Sequence, residues 1–504
     1  MKNIFFISFA LAASLLSSAQ QKNVLLEQSF WKTTPDVNAV KAEIAKGNSP
    51  SASTSNAFDV TVMAINGDAP TETIQFLLEQ PGNEVNKLTH DNRIYLHWAA
   101  NKGNVEIIEY LIAKGSDINL EDSKGETPLT FAAIGGQSNP KLYEAFFKAG
   151  IEPKKKYKDG INLQLMTIAT DKNLTLSDYL ATKGLSLKDV DSNGNTAFDY
   201  AAKTGNVAFL KTLLAKGVKY TNNALLFAAQ GTRRESSTLE TYKYLVEELK
   251  IKPTTSSKSG ETVLHFLANK PNQTEIIAYF LSKGVDANQA DKEGNTPLML
   301  AAAGRETATL EQLIAVTKNI NAQNLKKESA LTFAVKSGTP EAITQLLNHN
   351  ADITVTDKDG NNLGYYLIQS YRPQTGGGRG PEASNTPKQD PFEAKIKILQ
   401  DKGFVLSTPQ KDGNTLYHLA VIKNDLNLLK KLADLKIDSN AKNNDGLTAL
   451  HKAAMIAKDD AILKYLISIG AQKDAKTEFD ETPYTLAKEN ETLTKKKTDL
   501  EFLK

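Results

Sequence analysis

The chain has no cysteine in its 504 residues. This excludes disulfides, a thiolate nucleophile, cysteine-ligated metal and lipid attachment through an N-terminal cysteine. Neither sign of charge prevails, with 60 Lys and Arg against 58 Asp and Glu for a net charge of +2. No global field therefore marks nucleic acid or an anionic membrane as the partner. No nucleophile elbow occurs, and the run Gly376-Gly377-Gly378-Arg379-Gly380 has neither the preceding strand nor the following Lys-Ser/Thr of a phosphate loop. With 504 residues the chain exceeds one ordinary core, and a 40% apolar composition fits a folded chain.

Long apolar runs are also missing, with one exception. Lys2, the run from Ile4 to Leu16 and the small residues Ser17-Ser18-Ala19 before Gln20 match the three parts of a secretory signal peptide. The run is too short for a comfortable membrane span. The expectation is a leader over 1–19, cleaved after Ala19, and a mature chain in a periplasm or outside the cell. A cysteine-free chain there draws its stability from packing alone.

What is present is a sentence repeated about every 33 residues. Clean copies read Gly125-Glu126-Thr127-Pro128-Leu129-Thr130-Phe131-Ala132-Ala133, Gly294-Asn295-Thr296-Pro297-Leu298-Met299-Leu300-Ala301-Ala302 and Gly446-Leu447-Thr448-Ala449-Leu450-His451-Lys452-Ala453-Ala454. Fixed-period self-similarity means an array of units that bury apolar surface only by stacking. The motif position recurs at Ile94, Thr127, Leu163, Thr196, Asn223, Thr262, Thr296, Ser329, Asn362, Thr415, Thr448 and Thr482, mostly in steps of 33 to 36. A degenerate unit fits Phe58 to Leu78.

Each copy reads as a short helix begun by Thr-Pro, a small pair that lets a second helix approach, and that second helix. In the Ile94 copy the second helix is Val105 to Lys114, with an apolar stripe at Val105, Ile108, Leu111 and Ile112. Gly115, Gly217, Gly284, Gly403 and Gly470 follow such helices at the C′ position. Tight turns follow, as in Asp122-Ser123-Lys124-Gly125 and Asp191-Ser192-Asn193-Gly194, where Asp and Gly serve the turn geometry. They lack the alternating acidic ligands of a calcium loop.

Over about residues 58 to 490 these features resemble the ankyrin-repeat family. The resemblance implies an all-α solenoid of about 12–13 units with short β-hairpin fingers, whose inner helices and fingers line a face used for protein binding. The domains expected are a leader at 1–19, an N-terminal cap at 20–57, repeats at 58–481 with a flexible insertion at 371–391, and a C-terminal cap at 482–504. In the N-terminal cap Val37, Val40, Ile44 and Gly47 resemble an outer helix. The 27-residue step from Thr196 to Asn223 lacks a finger, and the 53-residue step from Asn362 to Thr415 holds the insertion, where Arg379 offers a basic cleavage point. A weak joint is expected near Tyr220.

His97, His265, His418 and His451 share one slot, in which the resemblance implies an imidazole bridging neighbouring units. His90 and His349 have no partners at ligand spacing, so no metal or other cofactor is expected. Trp98, Phe131, Tyr200, Phe227, Phe266, Phe333 and Tyr366 recur one per repeat just before the small pair. A stacking ladder for bases or sugars would use such a stripe, but the resemblance implies core packing.

The reading is a non-enzymatic scaffold, monomeric and not membrane-spanning, that binds a protein partner and no nucleic acid. The alternative is a structural envelope component that binds a cell-wall polymer. Candidate contact residues on the fingers are Lys124, Glu126, Lys292, Glu293, Asn295, Lys358, Asp359, Asn444 and Asp445, and on the inner helices Asn101, Lys102, Lys203, Lys336 and Lys423.

Overall fold

A computed structural model describes residues 23–232, 236–373 and 390–504. The expected leader, the body of the insertion and Arg379 lie outside the described residues. The chain divides into two compact units, one ending at Ala201 and taking in Ala208–Thr221, the other made of Ala202–Val207 with Asn222–Lys504. The division falls beside the step where a finger is missing.

Within each unit, pairs of short helices stack so that most inner helices pack on the next inner helix and on their own outer helix. The motif residue is the cap that starts the inner helix. Thr127, Thr296, Ser329 and Thr448 accept from the backbone N–H three residues on, and Pro128, Pro297 and Pro483 occupy the first turn. The small pair is the contact point, since Ala99, Ala100, Ala228, Ala229, Ala453 and Ala454 are fully buried. In the outer helix Val105–Ala113 the buried residues are Ile107, Ile108 and Leu111. The expected stripe was thus off in register: Val105 and Ile112 are only half-buried, because the core-facing arc centres on Ile108 and takes in Ile107.

The C′ glycines have the predicted left-handed backbone, with φ from 78° at Gly217 to 98° at Gly470. A Cβ at Gly115, Gly217, Gly284 or Gly403 would meet nothing within 4 Å, so conformation and not space selects glycine there. Asn350, with φ 64°, fills the same slot in its repeat.

The N-terminal cap is itself a helix pair, Gln28–Trp31 and Val37–Ala45, held by the buried Trp31, whose Nε1 donates to Leu25 O at 2.7 Å. The C-terminal pair is Pro483–Glu489 and Glu491–Lys495. The insertion joins the inner helix Leu363–Ser370 to the outer helix Pro391–Asp401. That outer helix is docked by Lys395, 5% exposed, whose Nζ donates to Val335 O at 2.8 Å at the C-terminus of the inner helix Ala330–Ser337. Burial pushes its ammonium down to about 8, and the helix-terminal carbonyls are what hold the charge there.

The expected β-hairpin fingers are not hairpins. Among the described residues there is no named strand, only isolated bridges such as Val190 with Thr196 and Gln323 with Ser329. Each finger is a five-residue loop closed by two backbone bonds, for example Asp291 N to Asn295 O at 2.9 Å with Gly294 N to Asp291 O at 3.0 Å, and Asp357 N to Asn361 O with Gly360 N to Asp357 O, both at 3.0 Å. The legs are too short for a ladder, so the tips bond sideways instead. Ser123 donates to Asp91 O, Lys292 to Ser259 O, Leu325 to Glu293 O, Lys358 to Lys326 O and Asn444 to Asp412 O, all at 2.7–3.0 Å. The leading Asp holds the loop from within: Asp291 Oδ1 accepts the N–H groups of Glu293 and Asn295 at 2.9 and 2.8 Å.

The histidine slot connects helix to finger. His418 Nδ1 accepts from Thr415 N–H at 3.2 Å, which leaves Nε2–H to donate to Leu447 O of the next finger at 2.9 Å. His97, His265 and His451 repeat the arrangement on Glu126, Asn295 and Ala475 carbonyls at 3.0, 3.1 and 2.9 Å. At Thr196 the slot holds Asp199, fully buried, and the following finger is missing. Asp199 instead accepts from Thr196 N–H, Thr221 N–H and Thr221 Oγ1, each at 2.9 Å.

Candidate protein-interaction face

The side of each inner helix turned away from its outer helix carries two rows. One is the ring position, four residues after the motif residue; the other lies a turn further on, at seven and eight. The expected core packing of the ring row is only partly correct. Trp98, Tyr200 and Tyr366 are buried, whereas Phe131, Phe227, Phe266 and Phe333 are half-buried. The ring position sits between the core and the open side, a turn before exposed residues such as Ile134 and Lys336.

The buried rings use their polar ends to pin fingers. Tyr366 Oη donates to Asp357 Oδ2 at 2.6 Å, Tyr200 Oη to Asp191 Oδ2 at 2.9 Å and Trp98 Nε1 to Thr89 Oγ1 at 2.9 Å. Rings of this row, buried and half-buried, also take cations on their faces. Arg93 lies 4.1 Å from the Phe131 centroid while its Nε and Nη2 hold Asp122 Oδ2 at 2.8 and 2.7 Å, and Lys203 lies 4.9 Å from the Phe227 centroid. Burial raises Asp122, but bonds from Glu126 and Lys124 N–H and from Arg93 outweigh it and leave its carboxyl below the usual range.

The candidate contact residues divide by what already holds them. Lys292, Glu293, Lys358 and Asp359 are exposed at finger tips. Lys124 is exposed and pairs with Asp91 at 3.1 Å. Asn444 and Asp445 are exposed; Asn444 Nδ2 donates to Lys411 O at 3.1 Å, and Asp445 accepts from Asn443 Nδ2 at 3.4 Å. Glu126 and Asn295 serve the finger itself, since both are half-buried and their carbonyls receive His97 and His265. On the inner helices, Asn101 donates to Phe131 O at 3.5 Å, and Lys102 is engaged by Asp68 at 2.7 Å. Lys336 reaches Glu328 at 3.5 Å and Lys423 reaches Gln369 Oε1 at 3.4 Å.

Sequence reasoning missed the apolar members of this face. Ile134 is 57% exposed, Ile422 56% and Met455 49%, all seven residues after their motif residue, with Ile456 beside Met455. At the finger tips Phe479 is 84% exposed and Leu325 69%. The signal was available: an apolar residue after the small pair, or inside a turn otherwise made of Asp, Asn, Lys and Gly, has no partner within its own repeat.

Concavities near Thr296 and near Tyr484 hold about 130 and 290 Å³. Among the described residues no group of three or more His, Asp or Glu is placed to hold a metal ion, and no helix is long and apolar enough to cross a membrane. His90 stacks on Phe58 at 4.3 Å, and His349 Nε2 lies 3.8 Å from Glu311.

Comparison with known proteins agrees with the geometry. The family profile described as ankyrin repeats (3 copies) matches residues 61–157, 225–324, 264–357 and 392–491, and ankyrin repeats (many copies) matches 165–214. The chain is 29% identical over 218 residues to a transient receptor potential cation channel subfamily A member 1 homolog of Caenorhabditis elegans, covering 43% of this chain and 15% of that protein. It is 24% identical to mouse NF-kappa-B inhibitor delta, covering 45% of this chain and 74% of that protein. A putative ankyrin repeat protein of Rickettsia bellii is 24% identical over 50% of this chain and 37% of its own length. With more than half of its length matched, the chain belongs to the ankyrin-repeat family.

Proposed function

We propose that this protein is a non-enzymatic scaffold that holds a protein partner on its inner helices and fingers, in the periplasm or outside the cell. The carrying observation is the run of exposed apolar residues Ile422, Met455 and Ile456 on two inner helices packed against each other, Leu416–Lys423 and Ala449–Ile456. Singly exposed apolar residues are ordinary, but adjacent ones on one face mark an interaction surface. The structural use of His97, His265, His418 and His451 adds support. The leader-like N-terminus supports export, and the even charge balance supports a partner other than nucleic acid. The scaffold works as a monomer, since each repeat is covered by its neighbours.

A pull-down with the mature chain from envelope extract tests the reading. One stoichiometric protein is expected. Sedimentation of the chain with purified cell wall, with no protein captured, would replace it by binding of a wall polymer. Mass spectrometry of the exported chain should find Gln20 at its start, and an intact Met1 in the cytoplasm would remove the export assignment.

A further inference from the structure

Acidic residues are missing from most inner helices of the unit built from Asn222–Lys504. Its seven inner helices from Asn223–Gln230 to Ala449–Ile456 contain no Asp or Glu, yet they contain Lys336, Lys423 and Lys452. The outer helices from Leu239–Lys243 to Pro391–Asp401 each have at least one acidic residue, including Glu240, Glu275, Glu311, Glu341 and Glu393, whereas the next two, Leu426–Lys431 and Ala461–Ser468, have none. These seven inner helices are thus cationic and acid-free, while the fingers beside them carry exposed Glu293, Asp359 and Asp445. The helix lysines are weakly engaged: Lys423 and Lys452 meet only amide oxygens, of Gln369 at 3.4 Å and Asn414 at 3.2 Å, and the one carboxylate contact of Lys336 is long at 3.5 Å. Half-buried Phe227, Phe266 and Leu300 lie on the three inner helices before that of Lys336, half-buried Phe333 lies on the same helix as Lys336, and exposed Ile422 and Met455 share the helices of Lys423 and Lys452.

Resting on the scaffold reading, we infer that the inner face of this unit binds an extended acidic polypeptide segment that carries both carboxylates and apolar side chains. Carboxylates meet Lys336, Lys423 and Lys452, and apolar side chains cover the Phe row and the Ile422–Met455 patch. Seven inner helices stacked at 8–10 Å between axes span roughly 50–60 Å, which about 15–18 residues of extended chain match at roughly 3.3 Å each. An acidic, apolar strand gains both terms; a basic or wholly polar one gains neither.

The test uses the mature chain and a fluorescein-labelled 18-residue peptide in which Glu alternates with Leu and Ser, read by anisotropy. The expected result is binding at least tenfold tighter than that of the same peptide with Lys for every Glu. Lys336→Glu with Lys423→Glu should weaken it at least tenfold, and raising NaCl from 50 to 200 mM should weaken it several-fold. Glu341→Lys, on the outer helix Pro340–Asn348, should change it less than twofold. Lys336→Gln with Lys423→Gln serves if the charge-reversed chain fails to fold by circular dichroism. Equal binding of the Glu and Lys peptides, or undiminished binding by the lysine variants, overturns the inference. Heparin or duplex DNA bound as tightly as the peptide overturns it in favour of a general polyanion surface. In the envelope pull-down, a partner retained equally by wild type and lysine variant removes this inference and leaves the scaffold standing. Capture of no protein by either removes the scaffold itself.

Discussion

The repeats that begin at Thr415 and at Thr196 fill the same slot with groups of opposite hydrogen-bonding sense. His418 donates through Nε2 to Leu447 O because a finger follows and turns a carbonyl toward it. Asp199 accepts from Thr221 N–H and Oγ1 because no finger follows, and the chain passes the slot with donors inward. The slot demands no particular residue; it demands the complement of what the next segment presents, since a buried polar group left unmatched costs more than a matched one returns. Deleting a finger therefore required a change more than twenty residues upstream in sequence.

Exchanging the residues tests that complementarity most severely. His418→Asp would aim a buried carboxylate at Leu447 O where a donor stood, with Lys452 the cation near the slot, and should cost about 3–5 kcal/mol. Urea denaturation should show that loss, and a change under 1 kcal/mol would mean the slot is wetter than its burial indicates. Slightly smaller is Leu225→Ala, in the inner helix that follows the missing finger. Leu225 is fully buried, and its truncation should cost about 2–5 kcal/mol. Because the chain divides into two units beside this helix, calorimetry should resolve two transitions; one transition, coincident by all probes, would defeat the idea of a weak joint.

The reverse exchange, Asp199→His, should cost about 1–3 kcal/mol, because an imidazole N–H would face Thr221 N–H and leave it unpaired. Asp199→Asn should cost less. If the two variants were equally stable, polarity would not be what the slot selects.

The pH response should separate the two versions most gently. Burial holds His97, His265, His418 and His451 below their ordinary value. The unfolded chain thus binds protons first, so their stabilisation is complete above the unfolded value near 6.5 and is lost as pH falls toward the folded values. Burial raises Asp199, with the opposite consequence: its contribution is fullest at acid pH and declines as pH rises through the raised value. Urea midpoints measured from pH 7.5 to 5 should fall, and a His418→Gln, His451→Gln chain should fall less steeply. Equal slopes would show that the imidazoles are not the groups titrating.

Much of this was legible in the one-dimensional pattern because its causes are local. The Thr-Pro starts, the alanine pair, the C′ glycines and the leading Asp of each turn all act within a few residues, and all appear where the spacing placed them. The histidine bridge was legible from the family resemblance. The half-burial of Phe131, Phe227, Phe266 and Phe333 was not, since one ring position serves as core or face depending on the neighbouring repeat. Nor was the reduction of the fingers to short loops that hold one another sideways, which needs the next finger in place.

The sequence by itself determined the repeat, its helix pairs, the missing finger at Thr196 to Asn223 and the insertion after Tyr371, because period and turn chemistry are properties of neighbours along the chain. Only the tertiary structure decided which surface residues belong together. Ile422 lies 33 residues from Met455, and Lys336 lies 87 residues from Lys423. Stacking sets such residues on one inner face and sends Glu275, Glu311 and Glu341 to the other layer, because each repeat can bury its apolar side only against the next.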